Sequence, residues 1–166
     1  MDRFQKIGVE KFVIMVRHNL GWMYSTQNLS ELAIRYLSEV IEKSPQHYKA
    51  LYVKAREHYK RQEHETAAEL IEKGLKICNE SQIEGYQHHF LILKSLNENV
   101  DVNALEDTIL KGIEYFEREE LFDYIQEYQE KLAIRCYEEN LSEKASKYFY
   151  LSSKVREKLF NKEALK

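Results

Sequence analysis

The chain has 166 residues, of which 25 are Lys or Arg and 28 are Asp or Glu, so its net charge is −3 at pH 7. A slightly acidic chain lacks the overall positive charge with which nucleic-acid-binding proteins contact phosphates. Only five residues are Gly and one is Pro, a composition that favours long helices over the frequent turns of a sheet. We therefore expect one helical domain that makes no direct nucleic-acid contact.

No segment of the sequence is typical of a membrane span or a secretory signal. The longest apolar window covers residues 12–16, whereas a membrane-spanning helix needs about 20 residues. The first residues lack the apolar stretch and cleavage site of a signal peptide. Cys78 and Cys136 have neither metal-ligand nor redox-motif spacing, so we expect reduced, buried thiols. These features predict a cytoplasmic protein without membrane contact.

The stretch from Leu20 to Pro45 contains the motif that defines the chain. It reads Leu20-Gly21-x-x-Tyr24, Ala33-x-x-x-Leu37 and Pro45. It resembles the tetratricopeptide pattern W-x2-L-G-x2-Y…A-x3-F…P, with Arg17 at the Trp position and Leu37 at the Phe position. Small residues at Gly21 and Ala33 let two helices approach closely, and Pro45 ends the second helix.

The motif recurs along the chain. Ala55, Ala67 and Ile71 follow Gly21, Ala33 and Leu37 by 34 residues in each case, the period of this repeat. Two later units are spaced more loosely, with Leu105 and Ala145 at the Ala position and Phe149 completing A-x3-F. The sequence therefore predicts an all-α, tetratricopeptide-repeat right-handed superhelix of about four helix pairs, with a single domain over residues 1–166.

The predicted elements follow in chain order. Residues 1–13 form a partial N-terminal helix, interpreted either as the end of a preceding repeat or as a capping helix. The repeats cover residues 14–47, 48–81, 82–121 and 122–160, and the polar tail 161–166 is expected to fray. Their helices are predicted near 13–25, 30–43, 47–62, 64–79, 83–96, 103–119, 121–139 and 142–160. Ser30 is the expected N-cap of the second of these, and Asn103 or Asp101 that of the sixth.

The sequence shows no catalytic constellation. The six His residues form no HExxH motif and no pair flanked by carboxylates, and the Ser and Cys residues lack a recognisable base partner. The acidic runs alternate with basic residues, as on solvated helix faces. We therefore expect a protein that is not an enzyme and that needs neither metal nor cofactor.

A binding groove is the more informative expectation. In such solenoids the first helix of each pair lines a concave surface. The residues that the motif turns inward, and that we predict to bind an extended peptide, are Asn19, Trp22, Lys49, Tyr52, Arg56, Tyr59, Tyr86, Gln87 and Phe90. Amides could hold a peptide backbone, aromatic rings could form pockets, and Lys49, Arg56 and Lys60 could meet a carboxylate. Glu127 and Glu130 could meet a basic residue, which would give the groove a charge polarity.

Parts of the sequence resemble the C-terminal repeats of bacterial peptide-pheromone receptors of the Rap/NprR/PlcR group, most closely the NprR-type regulators. The resemblance rests on Glu72-Lys73-Gly74-Leu75, His88-His89-Phe90, Lys111-Gly112-Ile113-Glu114-Tyr115-Phe116 and Ala145-Ser146-Lys147-Tyr148-Phe149-Tyr150. It implies a cytoplasmic receptor that binds a short signalling peptide in its groove. It also implies that this chain is a sensor without the DNA-binding or effector part found in such regulators.

Three other interpretations compete with a peptide sensor. One is a generic scaffold that binds a folded partner or forms a homodimer through exposed apolar residues such as Phe4 and Ile7. A cochaperone clamp for C-terminal carboxylates is disfavoured, because His18 and Trp22 occupy the positions where Lys and Asn are needed. A phosphatase acting on phospho-aspartate is disfavoured by the lack of an N-terminal helical bundle.

Overall fold

The computed structural model describes residues 3–164, with side chains for residues 6–161, and within these residues every regular element is a helix. The chain divides into two compact units, Met1–Asn97 and Glu98–Lys166. Unit 1 contains α1 (Arg3–Thr26), α2 (Ser30–Lys43), α3 (Tyr48–Lys60), α4 (His64–Glu80) and α5 (Glu84–Asn97). Unit 2 contains α6 (Val102–Arg118), α7 (Phe122–Glu138) and α8 (Ser142–Ala164). None of these helices is long and apolar enough to cross a bilayer.

In unit 1 each helix packs against the next one along the chain, and α3 also contacts both α1 and α5. The predicted small residues lie where helices approach most closely. A Cβ added to Gly21 would lie 2.7 Å from Leu37 Cγ, and one added to Gly74 would lie 2.1 Å from Phe90 Cζ. Ala33, Leu37, Ala55, Ala67 and Ile71 are all buried. The repeat motif therefore marks the contacts of this unit correctly.

In unit 2, α7 packs against both α6 and α8. Leu132, Ala133 and Ala145 are buried here, as their motif positions predict. Glu106 on α6 accepts hydrogen bonds from Lys144 Nζ and from the hydroxyl of the buried Tyr148 on α8. These bonds hold α8 to α6 through side chains alone, since burial of a carboxylate requires polar partners.

The loops after six of the helices use one turn, in which a non-glycine residue adopts a left-handed backbone conformation. These residues are Asn28, Gln62, Gln82, Asn99, Glu120 and Asn140. In five of the six loops the next amide donates back to a helix carbonyl, as Leu121 N does to Phe116 O at 2.8 Å and Leu141 N does to Cys136 O at 2.8 Å. This is the bonding of a Schellman cap. The remaining connection, between α2 and α3, contains Pro45.

Several predicted boundaries need correction. A single helix, α1, covers Arg3–Thr26, where a partial helix over 1–13 and a second helix from 13 were predicted. Ser30 is not an N-cap: Leu29 occupies that position without a side-chain cap, and Ser30 Oγ bonds Glu57 instead. Asp101 is confirmed as the cap of α6. Helix α8 continues to Ala164, beyond the predicted start of a fraying tail.

The remaining expectations concern the chain ends, the cysteines and the number of domains. The side chain of Phe4, which was expected to favour a homodimer, lies outside the described residues, as do Leu165 and Lys166. Cys78 and Cys136 are free and buried, as expected. That the chain forms one domain stays a prediction.

Candidate functional site

The first helices of the repeats in unit 1 bring their predicted groove residues to one surface, the α1–α3–α5 face. This face consists of Trp22 on α1, Lys49, Tyr52 and Arg56 on α3, and Tyr86 and His89 on α5. The repeat period explains the grouping, because Arg56 follows Trp22 by 34 residues and Tyr86 follows Tyr52 by 34. Contacts of α3 with both α1 and α5 hold the three helices together.

Arg56 lies at the centre of the α1–α3–α5 face. The carbon at the centre of its guanidinium group is 5.1 Å from the ring centroid of Trp22 and 5.9 Å from that of Tyr52. These distances permit cation–π attraction to both rings. Arg56 Nη2 donates to Ser25 Oγ at 2.9 Å. Its Nε is buried and has no hydrogen-bond partner among the described residues, so one donor of the guanidinium group remains unsatisfied.

The neighbouring residue, Glu57, is fully buried and belongs to a separate polar network. Its Oε1 accepts hydrogen bonds from Ser25 Oγ at 2.5 Å and Lys60 Nζ at 2.8 Å, and its Oε2 accepts one from Ser30 Oγ at 2.6 Å. Burial acts to raise the pKa of this carboxyl, but the hydrogen bonds from Lys60, Ser25 and Ser30 outweigh it and lower the pKa. Glu57 is thus a satisfied carboxylate that fixes the ends of α1 and α2 on α3.

Aromatic rings form the part of the face between α3 and α5. Tyr52 packs edge-on against Tyr86, with centroids 5.7 Å apart, and against Phe90 at 5.5 Å. His89 lies 5.3 Å from Tyr52 and 5.2 Å from Tyr86 between ring centroids. Burial, followed by the nearby charges of His88 and Arg56, lowers the pKa of His89 to about 3. The imidazole is therefore neutral at physiological pH and behaves as one more ring of the cluster.

A second cation lies at the edge of the aromatic cluster. Lys49 Nζ is 5.9 Å from the ring centroid of Tyr86, and its side chain is exposed. The imidazoles of His18 and His47 lie nearby, with their ring centroids 4.8 Å apart. Burial lowers the pKa of His18 to about 4, and the charges of His47 and Lys49 add to this effect. Both positive charges of the face therefore come from Arg56 and Lys49 and not from histidine.

The predicted binding residues fall into three groups. Trp22, Lys49, Arg56 and Tyr86 reach the surface of the face, where a ligand could contact them. Tyr52 is 7% exposed and Phe90 is fully buried against Gly74, so these two support the face from below.

The third group lies elsewhere in unit 1. Gln87 Nε2 donates to Asn79 Oδ1 at 2.9 Å and to Cys78 O at 3.3 Å, which ties it to α4. The ring of Tyr59 lies 6.2 Å from that of His64. Asn19 is exposed, and none of the contacts described for the face involves it.

Sequence reasoning missed Ser30, Glu57 and His89 as members of the site. Two signals were present for Glu57 and His89. Glu57 follows Ala50 and Val53 by seven and four residues, so it lies on the buried side of α3. His89 takes the repeat position of Ala55, 34 residues earlier, a position that the motif buries between helices.

In unit 2, the residues predicted to meet a basic group are already paired with cations. Glu127 Oε1 lies 3.3 Å from Lys131 Nζ, and Glu130 Oε2 lies 3.5 Å from Arg156 Nη2. These pairs are half-exposed, so each contributes little to stability. The proposed charge polarity of a groove stays a prediction. Among the described residues, no cluster of three or more His, Cys, Asp or Glu side chains could hold a metal ion.

Comparisons with known proteins place the fold. No protein-family model matches the chain, and no curated protein matches it. The solved structure of the apo form of RapI is similar, with a TM-score of 0.76, 22% sequence identity and coverage of 95% of this chain. The chain spans 58% of the length of that RapI chain. The fold is thus a helical repeat of the kind seen in RapI, which confirms the predicted all-α repeat architecture. Special closeness to NprR-type regulators stays a prediction.

Proposed function

We propose that the α1–α3–α5 face binds a short, extended peptide through its carboxylates and that the chain is the peptide-sensing module of a quorum-sensing transcriptional regulator. The observation that carries the proposal is the environment of Arg56. Its guanidinium group lies over two aromatic rings with Nε unpartnered. A guanidinium group with free donors is suited to a carboxylate, which can accept two parallel hydrogen bonds from it.

The spacing of the cations suggests the ligand. Lys49 and Arg56 are seven residues apart on α3, about two helical turns, or roughly 10.5 Å. An extended peptide covers that distance in about three residues, at roughly 3.3 Å per residue. A peptide with an acidic side chain about three residues before its C-terminus would place one carboxylate at each cation. The half-buried Tyr86 between them would contact an apolar side chain.

The family-level part of the proposal rests on the fold shared with RapI and on the resemblance of the sequence to peptide-pheromone receptors. Under this proposal the module acts by binding and not by catalysis, it lies in the cytoplasm, and DNA contact belongs to another part of the regulator. The alternative, a scaffold for a folded protein partner, predicts no affinity for short peptides.

Calorimetric titration tests this function. We expect micromolar binding of peptides of five to seven residues that carry the two carboxylates, with at least a tenfold loss when the C-terminus is amidated or the acidic residue is made neutral. A loss of one charge-assisted hydrogen-bonded pair corresponds to about 1.5–3 kcal/mol. Arg56→Gln should abolish the preference for acidic peptides.

The matched control is Arg35→Gln on α2. Arg35 has an exposed side chain, with only a 3.9 Å contact to Glu39, so this variant removes the same charge away from the face. Equal binding by the parent and the Arg56→Gln variant, or no binding to any acidic peptide, would refute the proposed site.

A further inference from the structure

Helix α1 carries a continuous apolar stripe that no other described part of the chain covers. Val9, Phe12, Met15, Val16 and Met23 have exposed fractions of 53%, 60%, 51%, 37% and 40%. Together with the exposed Asn19 they recur at intervals of three and four residues, so they share one side of the helix. This α1 stripe contains no charged residue, whereas a surface helix normally directs charges to solvent.

The repeat period identifies what kind of surface the stripe is. The residues of α3 that lie 34 positions after Val16, Asn19 and Met23 are Ala50, Val53 and Glu57. All three are fully buried, and α3 packs against α1 and α2. The corresponding side of α3 therefore stacks one helix pair on another. The α1 stripe is the same stacking surface, left exposed to solvent.

We propose that the α1 stripe pairs with the α1 stripe of a second copy of this chain. A two-fold axis close to Asn19 would set Met15 and Val16 opposite Met23 of the other copy. The two Asn19 amides would meet at the axis, where each can donate to and accept from the other. A buried amide of this kind fixes the register of paired helices. The same surface contacts itself, as a two-fold dimer requires.

Pairing of the α1 stripe with the last helix of another copy is disfavoured. The exposed aromatic residues of α8, Phe149, Tyr150 and Phe160, are interspersed with Lys147, Lys154, Arg156 and Glu157. Lys154 pairs with Glu157 at 3.0 Å. Covering this surface with an uncharged stripe would desolvate charges without giving them new partners, which is costly. The stripe meets no such charges on its own copy.

The size of the contact sets its strength. Helix α1 has 24 residues and is therefore about 36 Å long. Antiparallel contact over the part that overlaps covers roughly 800–1,000 Å² in total, below the about 1,600 Å² of a standard stable interface. The dimer is consequently weak and reversible, with a dissociation constant in the micromolar range. Because Trp22 and Arg56 lie outside the stripe, peptide binding and dimerisation can fail independently.

Sedimentation velocity over a range of about 1–500 µM tests the pairing. The weight-average mass should rise from that of the 19.9 kDa monomer towards twice this value. Met15→Glu should keep the chain monomeric at all concentrations, because it places like charges in an apolar contact. Helical content should stay unchanged, since Met15 is exposed.

The control is Leu91→Glu, which adds the same charge at a 42% exposed position on α5 and should leave the association unchanged. A parent chain that stays monomeric up to about 500 µM overturns the proposal. A dimer that survives Met15→Glu also overturns it, because the contact would then lie on another surface. Loss of association in both glutamate variants would show a general charge effect and would likewise overturn it.

Discussion

At the scale of single residues, the neighbours Arg56 and Glu57 show how one turn of helix separates structure from binding. Glu57 is fully buried and takes hydrogen bonds from Ser25, Ser30 and Lys60. Those bonds satisfy its charge, so the carboxylate does not neutralise Arg56. The guanidinium group instead rests on Trp22 and Tyr52 and retains an unpartnered donor. A charge held over aromatic rings in this way is positioned before a ligand arrives, which lowers the entropy cost of binding.

His89 makes the stability of unit 1 depend on pH. Its pKa is lowered from 6.5 to about 3, so the folded state binds the proton less readily than the unfolded state. The stabilisation is fully present above pH 6.5 and is lost as the pH falls towards 3. We expect the free energy of unfolding to fall in this window with a slope approaching about 1.4 kcal/mol per pH unit from His89. His18, whose pKa is lowered to about 4, adds a smaller contribution.

Urea unfolding at pH 7, 6, 5 and 4 measures this slope. His89→Phe removes the titrating group while keeping a ring beside Tyr52 and Tyr86, so its stability should fall less steeply below pH 6.5. His64→Phe, at the exposed start of α4, should keep the slope of the parent. An identical slope in the parent and His89→Phe would contradict the assignment.

The sequence predicted which helices carry the site residues, but it did not predict every side-chain direction. The motif correctly grouped Trp22, Lys49, Arg56 and Tyr86 by the 34-residue period. It also assigned Phe90 to the groove, although Phe90 fills the space that Gly74 leaves and is fully buried. Residues on one side of a helix differ in burial according to the neighbouring helix. A pattern within one helix cannot contain that information.

At the scale of elements, the packing of α5 on α4 depends on Gly74. A Cβ at this position would lie 2.1–2.6 Å from three atoms of the Phe90 ring, and Phe90 is fully buried. Gly74→Ala should therefore destabilise the fold by about 1–3 kcal/mol through overpacking. The measurement is the midpoint of thermal or urea unfolding.

Gly8→Ala is the matched control for this prediction. Nothing lies within 4 Å of a Cβ added to Gly8, which is inside α1. The better helix propensity of alanine should then stabilise that helix by up to about 1 kcal/mol. If Gly74→Ala were as stable as the parent, the close contact between α4 and α5 would be wrong.

Helix ends were predicted with different success for physical reasons. Asp101 was recognised as a cap because its carboxylate accepts from Asn103 N and Ala104 N, a purely local interaction. Ser30 was predicted from equally local reasoning and was wrong, because its hydroxyl donates to Glu57, 27 residues away. The long α1 was missed because the repeat pattern places a boundary near residue 13, although no helix-breaking residue stands there.

At the scale of the whole molecule, periodicity is the most informative property of the sequence. The 34-residue spacing by itself predicts an all-α repeat, and the similarity to RapI over 95% of the chain agrees with it. The division between Asn97 and Glu98 falls just before the polar loop that lengthens the third predicted repeat. Helical periodicity continues on both sides of that loop, so the sequence alone does not separate the two units there.

Trp22 offers the most direct test of the central claim, that the α1–α3–α5 face binds an acidic peptide. It is the single Trp of the chain, it is 37% exposed, and it lies beside Arg56. Titration with an acidic peptide should shift its emission in a saturable way, at the concentrations that give calorimetric binding. Arg56→Gln should remove the shift, and Arg35→Gln should keep it. Calorimetric binding without any change in Trp22 emission would place the ligand elsewhere and contradict the account.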